Sequence, residues 1–532
     1  MKKTFKTIKI IAVAGFLLLI IDAHLFAQYT FDWMQPSGNY SKTSVMSVVD
    51  NSNNLIVTGY WQNYQTFTRK YDLSGSLLWE VADSSGLSGK YEKPNWINCD
   101  SNNNIFVVGN RYSFSASTQW DYPDAIIAIK YSPSGALQWR KEIPITITLT
   151  SLHRFNTSSQ VDSKGNLYIG TSIDNPSGAV LYKLDANGNL IFTGSSNVNS
   201  PQNFSSMRLK GDKIVMATGS TISNIAPVFV WDTTGSLLWT AAVTGRGSAD
   251  AEIDESHHVY VLSHLLNEVS PASGADMNIS KFDSAGNPLW IRDYDFGGYE
   301  IPTRMVYLNN RLSIIGYGPS SPSTAYFDWK TLQTDTSGTL LWHAIYDATT
   351  FNDEQPYNLV AKPNGEVIVT GKGGPSPDPF NPSFIQMPIV QYSNTGSQLW
   401  LDTPNIYGGW GLACTLASDS SLYIISSSDM TVYHYKNVSL EIENGFLLSH
   451  SVTVYPNPFS SFTTLELNLK ETKDVSVTII DASGKSVMTI LPQMLQKGLN
   501  NINLDLTELS SGVFFCIIKS NENLHTIKLL KN

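Results

Sequence analysis

Short apolar runs, each following turn-forming residues, recur along the chain: NNLIVTG (53–59), NNIFVVG (103–109), GNLYIGT (165–171), DKIVMATG (212–219), HHVYVLS (257–263), NRLSIIG (310–316), GEVIVTG (365–371) and SSLYIIS (421–427). Runs of this length and composition predict buried strands. A second phrase follows each of the first seven: YDLSGSLLW (71–79), YSPSGALQW (131–139), LDANGNLIF (184–192), WDTTGSLLW (231–239), FDSAGNPLW (282–290), TDTSGTLLW (334–342) and YSNTGSQLW (392–400). Each copy predicts a hairpin. Asp72, Asp185, Asp232, Asp283 and Asp335 stand three residues before a Gly, where a short acceptor closes an Asx-type turn; Ser132 and Ser393 do so more weakly. The Gly takes the φ > 0 position that other residues resist. Four residues further on, Trp79, Trp139, Trp239, Trp290, Trp342 and Trp400, with Phe192 as the one substitute, present a large flat ring expected to be buried between neighbouring units.

The turn glycines at 75, 135, 188, 235, 286, 338 and 396 are spaced by roughly 50 residues, the range of propeller blades or solenoid units. The eighth apolar run is followed by TVYHYKN (431–437) and no Trp strand, whereas YTFDWMQP (29–36) carries Trp33 with no Gly turn before it. Pairing that first strand with the last three would leave no unpaired sheet edge. The expected fold is therefore all-β: an eight-bladed β-propeller over residues 28–437, closed by the N-terminal strand, with an open solenoid as the alternative. The Asp-x-x-Gly-x-x-x-Trp recurrence resembles the tryptophan-docking motif of quinoprotein-type propellers and of other secreted bacterial propeller repeats, which implies a fold and not an activity. Dehydrogenases of that kind carry a vicinal disulfide and a calcium-bound quinone; this sequence has no adjacent cysteines, and no cofactor is expected.

In a four-stranded meander the connections after the second and fourth strands share one side, and here these are long and varied. That face is where a loop-borne function belongs. It would gather Trp61, Tyr64, Tyr112, Trp120, Asp121, Tyr122, Asp124, Asp293, Tyr294, Asp295, Tyr299, Glu300, Asp378, Phe380, Tyr407 and Trp410. Of these, Trp61, Tyr112, Trp120, Tyr122, Asp293, Tyr294, Tyr407 and Trp410 are the candidate ligand-binding residues. Rings beside carboxylates suit stacking on sugars or contact with a protein, and equally suit loop packing. No catalytic residue is assigned, because no GxSxG elbow, Walker loop or HExxH occurs. No metal site is expected either: no DxDxDG-type loop is present, and His257 and His258, adjacent at the start of a strand, point to opposite sides.

The first 27 residues read as a signal peptide: a basic MKKTFKTIK, an apolar IIAVAGFLLLII and a cleavage position after Ala27. That run is too short to span a bilayer, so no transmembrane helix is expected in the mature chain. Its removal takes away Lys2, Lys3, Lys6, Lys9 and Asp22 and moves the formal charge from −10 to −13. An acidic surface without a basic patch excludes nucleic acid as a partner. Cys99, Cys414 and Cys516 are too few and scattered for a disulfide framework and are read as apolar packing residues.

Beyond a linker at 438–448 the repeat stops, and alternation in TTLELNL, VSVTII and VFFCIIK predicts a small antiparallel β-sandwich over 449–532. This segment resembles the C-terminal sorting domain of type IX secretion cargo, on Tyr455, Pro456, Asn457 and Pro458, on Asp481 with Gly484 and Lys485, on Gly498, on LTELSSGVFF with Gly512, and on the closing TIKLLKN. The resemblance implies passage through the periplasm of a Gram-negative bacterium, recognition by the type IX translocon, and release or display at the cell surface. The expected function is a secreted or surface-held propeller that binds an extracellular glycan or protein without catalysis. The alternatives are a polysaccharide-degrading or other hydrolytic enzyme using loop carboxylates, and a purely structural surface component.

Overall fold

The computed structural model describes residues 28–532 apart from 37–41, 62–64, 85, 116–119, 146–155, 175–176, 197–201, 221–224, 245–246, 265–275, 320–326, 349–353, 374–385, 405–409, 428–430, 439–446, 470, 482–485 and 521–522. The expected leader, residues 1–27, lies outside the described residues, as does most of the expected linker. The chain divides into two compact units, one of Gln28–Asn437 and one carrying Val438–Asn532.

The described residues are strands and turns. In the larger unit seven four-stranded antiparallel sheets follow one another, at 42–83, 90–144, 157–195, 202–244, 247–294, 301–346 and 355–402. An eighth joins Gly411–Leu416, Leu422–Ser426 and Val432–Val438, with Gln28–Gln35 placed beside Val432–Val438. Alternate residues of one strand serve two different neighbours. Leu55 and Val57 of the first sheet pack with Tyr423 and Ile425 of the eighth, while Ile56 between them packs with Ile105 and Val107 of the second. Both faces of the middle strands are thus covered, and Thr66–Tyr71 and Met277–Phe282 are buried at every position. Burial on both faces explains why second strands such as Leu55–Trp61 read as apolar runs and not as an alternation.

The hairpin turns form as the sequence implies. Asp72 Oδ1 accepts from the backbone N–H groups of Ser74 and Ser76, both at 2.9 Å, and Gly75 sits at φ 83°. Asp185, Asp232, Asp283 and Asp335 repeat the pattern. The turns before the apolar runs prove to be the same device: Asp50, Asp100, Asp162 and Asp254 accept in the same way. There Asn53, Asn103 and His257 take φ near 60°, and His258 Nδ1 lies 2.9 Å from Asp254 Oδ2, so both histidines serve a turn.

All but one of the terminal rings lie on the turn glycine of the next sheet. A Cβ added at Gly75 would stand 2.7 Å from Trp33, at Gly135 2.8 Å from Trp79, at Gly188 2.8 Å from Trp139, at Gly235 2.7 Å from Phe192, and at Gly286 2.6 Å from Trp239. The indole N–H groups of Trp33, Trp79, Trp139 and Trp239 donate to the carbonyls of Leu73, Pro133, Ala186 and Ser284 in those same turns, at 3.0–3.2 Å. Trp400 meets no such glycine and packs on Tyr29 and Tyr435, at 5.4 and 5.3 Å. The expectation of burial needs correcting. Of these indoles only Trp342 is buried; the others are half-buried, because the fourth strand is the outer one and leaves one side of the ring to solvent.

The smaller unit stacks a three-stranded sheet (Leu447–Tyr455, Phe462–Leu469, Gly498–Asp505) with a four-stranded one (Ser486–Leu495, Lys473–Asp481, Gly512–Ser520, Asn523–Lys531). Leu465, Leu467 and Leu469 from one sheet meet Val475, Val477, Ile479, Cys516 and Ile518 from the other, the sandwich that the alternation predicts.

Two predictions follow from these contacts. Gly286→Ala should lose about 3 kcal/mol, since a left-handed non-glycine residue costs about 1–2 kcal/mol and displacing a packed ring adds about as much again. Gly86, at φ 66° with open space around it, isolates the backbone part: Gly86→Ala should lose only about 1 kcal/mol. Denaturant midpoints measure both, and equal losses would show that the ring contact contributes nothing.

The second concerns the N-terminal strand. His434 is buried between Trp33 and Tyr423, at 5.0 and 4.6 Å. Its Nδ1 donates to Asp32 Oδ2 at 3.0 Å, and Nε2 has no partner. Burial, only partly opposed by Asp32, holds the imidazole below its usual 6.5. Asp32, despite the opposing effect of burial, is held below the usual carboxylate range by Lys436 and His434. Both groups are depressed in the folded state, so their stabilisation is present at neutral pH and is lost on acidification, the histidine's share setting in below about pH 6.5. Hydrogen exchange at Gln28–Gln35, corrected for intrinsic rates, should show less protection near pH 5 than near pH 7. His434→Gln should flatten that difference; an undiminished pH response in the variant rejects the assignment.

Candidate functional site

The structure places the candidate residues as follows. Trp61 ends Leu55–Trp61, in register with Lys42. Tyr112 belongs to Ile105–Ser115, and its half-buried ring stacks on Tyr91 at 5.2 Å and 9°. Lys93 Nζ lies 5.1 Å from the Tyr91 centroid, 5.3 Å from that of Tyr112 and 5.6 Å from that of Tyr60, which comes from the preceding sheet. Three rings therefore surround one ammonium. Sequence reading singled out Tyr112 and missed Tyr60, Tyr91 and Lys93; the signal available was that they stand where the second strand ends and the next first strand begins.

Trp120 and Tyr122 pair in register with Ser115 and Ser113, extending the second sheet outward. Asp124 below them is a structural anchor, accepting from Arg111 Nε at 2.7 Å and also from Lys90 and Ser113. Burial works against its ionisation, yet these donors hold its carboxyl below the usual range. Trp410 is half-buried, 6.1 Å from Tyr357. Tyr407 lies outside the described residues, with Tyr64, Asp378 and Phe380.

Asp293 and Tyr294, adjacent in sequence, part company. Asp293 is exposed and accepts from Asn278 Nδ2 at 2.6 Å. Tyr294 is buried and its hydroxyl donates to Gly338 O of the next sheet at 2.7 Å, so it holds sheets together. Immediately beyond, Asp295 and Glu300 approach Asp276, whose carboxylates bring one oxygen each to within 4.8 Å of one another. Asp276 was not singled out from the sequence. It ends the long connection after a second strand, and 295–300 is the connection after the fourth strand of the same sheet, which is why distant positions converge.

Burial, then the charges of Asp295 and Asp293, push the Asp276 carboxyl up to about 6. Burial, together with Asp295 and Asp276 and against the pull of Lys330, pushes Glu300 up to about 7. Glu300 has no exposed surface, and no side chain donates a hydrogen bond to either of its carboxylate oxygens. Lys330, also buried, is near enough for its charge to act on Glu300, but its Nζ donates no hydrogen bond.

In the smaller unit Tyr455 is exposed, and Tyr455-Pro456 and Asn457-Pro458 are cis. Asn457 clasps the last strand: Nδ2 donates to Lys528 O at 2.8 Å, and Oδ1 accepts from Leu530 N at 2.9 Å. Pro456 O accepts from Thr463 Oγ1 at 2.7 Å. Asp481 and Gly512 share a concavity of about 490 Å³ with Glu508, Leu509 and Phe514. Gly484 and Lys485 lie outside the described residues.

Residues 453–532 match the family described as the Secretion system C-terminal sorting domain. The tail marks the protein for the type IX system and for secretion or display at the cell surface of a Gram-negative bacterium of the Bacteroidetes. Among solved structures, the Dos1 propeller aligns with TM-score 0.52 and 10% identity over 77% of this chain and 96% of that one. A Kuenenia stuttgartiensis hydrazine synthase aligns at 0.42 and 11%, over 67% and 98%, and Drosophila Plexin A in complex with Semaphorin 1b at 0.38 and 9%, over 77% and 88%. At such identities the likeness to the Dos1 propeller shows a β-propeller fold and nothing of activity. Comparison with curated proteins finds no match.

Proposed function

We propose that this exported β-propeller is an eight-bladed ring, closed by the N-terminal strand, that binds an extracellular glycan or protein on its long-loop face without catalysis. The ring reading is supported by the eighth sheet, which takes Gln28–Gln35 as a member and packs on both the seventh and the first sheets. In this reading residues 1–27 are a signal peptide, 28–437 the ring, 438–448 a linker and 449–532 the sorting domain.

The observation that carries the binding reading is the Tyr60–Tyr91–Tyr112 group around Lys93. Half-buried rings held by strands present rigid apolar faces with a cation and hydroxyls beside them, the combination that stacks on a sugar ring or anchors a protein contact at small entropic cost. The hydrolase alternative rests on the Asp276–Asp295–Glu300 group. Its most protonatable member, Glu300, has no surface to offer a glycosidic oxygen, which favours binding over catalysis.

On a glycan array and against a panel of extracellular matrix proteins, the secreted chain should bind a ligand that Tyr112→Ala and Tyr91→Ala each weaken roughly tenfold. Hydrolysis of an array glycan, or binding unaffected by both variants, rejects the reading. For the tail, a chain lacking 449–532 should stay folded in the periplasm, and those residues fused to an unrelated exported protein should carry it out. Cell fractionation decides: normal amounts of the truncated protein at the surface or in the medium would overturn the assignment.

A further inference from the structure

We infer that Asp276, Asp295 and Glu300 form a calcium site on the long-loop face, an inference independent of any glycan or protein ligand. Three carboxylate oxygens lie within 4.8 Å of one another, and calcium, with bonds of about 2.3–2.6 Å, spans about that distance across its oxygen shell. The donor set is oxygen only, which suits a hard cation and not zinc or copper.

Clustering of acidic groups is common on protein surfaces, but Glu300 sets this group apart. Its side chain is wholly buried, no side chain donates a hydrogen bond to either of its oxygens, and it faces two further carboxylates. A buried carboxylate in that position is costly unless a charge compensates it. Lys330 supplies one nearby positive charge without a hydrogen bond to Glu300, so a single cation stands against the three carboxylates and Asp293, which adds a further negative charge nearby. A divalent ion bound to one oxygen from each carboxylate would complete all three at once.

The local backbone is arranged for it. Asp295 Oδ1 accepts from Gly297 N at 2.8 Å, fixing the start of the connection. Gly297 and Gly298 both sit at positive φ, turning the chain so that Asp295 and Glu300 converge. Asp276 approaches from the end of the other connection of the same sheet. The ion would tie the two connections together, and the exposed position of Asp295 leaves the remaining coordination positions to water. A site with three carboxylates and solvent belongs with the weaker extracellular calcium modules, with Kd of about 0.1–1 mM.

The test uses the purified full chain, freed of metal with EDTA and then titrated with calcium chloride by calorimetry. Saturable binding in the sub-millimolar to millimolar range is expected, together with a rise in melting temperature at about 5 mM calcium. Asp295→Asn keeps the Gly297 contact and an exposed position, so it should fold normally and weaken calcium binding roughly tenfold or more. Glu300→Gln should do the same and, by removing the buried charge, should melt higher than the metal-free parent. Absence of calcium binding by the folded parent chain, or unchanged binding in folded Asp295→Asn, overturns the site.

Discussion

The larger unit depends on one contact made repeatedly: the flat ring that ends one sheet lies on the glycine turn of the next. It needs both partners to be what they are. The turn requires φ near 85°, and the ring comes so close that a Cβ would stand under 3 Å from it at Gly75, Gly135, Gly188, Gly235 and Gly286. The indole N–H groups of Trp33, Trp79, Trp139 and Trp239 then donate to carbonyls of those same turns, which adds direction to the contact. Apolar burial supplies most of the attraction between sheets, but it is non-directional, and this contact sets how each sheet registers on the next.

Much of this was legible because the determinants are local. The Asp-to-Gly spacing within one turn fixes the hairpin, and the recurrence of the phrase reports the number of such hairpins. The exposure of the rings was not legible, because it depends on the terminal strand being outermost. Nor was Tyr294 readable as a packing residue: its partner, the carbonyl of Gly338, lies 44 residues away in the next sheet. The Asp276–Asp295–Glu300 group failed for the same reason, since two connections of one sheet bring together positions that no fixed spacing relates.

The tail presents the opposite case. Its ordered motif residues are recognisable as a string, yet the string hides their division of labour. Asn457 is a clasp on the final strand, while Tyr455 beside it projects into solvent and Asp481 meets Gly512 at a shared concavity. The propeller repeats and the tail thus carry different kinds of information, one about mutual packing and the other about the surface offered for transport.

The placement of Gln28–Gln35 beside Val432–Val438 has a temporal side. The strand synthesised first belongs to the sheet synthesised last, and the contacts of Asp32 with His434 and Lys436 join positions about 400 residues apart. Bringing such ends together is slow compared with forming the local hairpins between them. Until the last repeats have emerged, Asp32 has no His434 and Tyr29 has neither Trp400 nor Tyr435. The local hairpin sheets can therefore form as the chain is made, whereas its most distant pairing has to wait for the last strands.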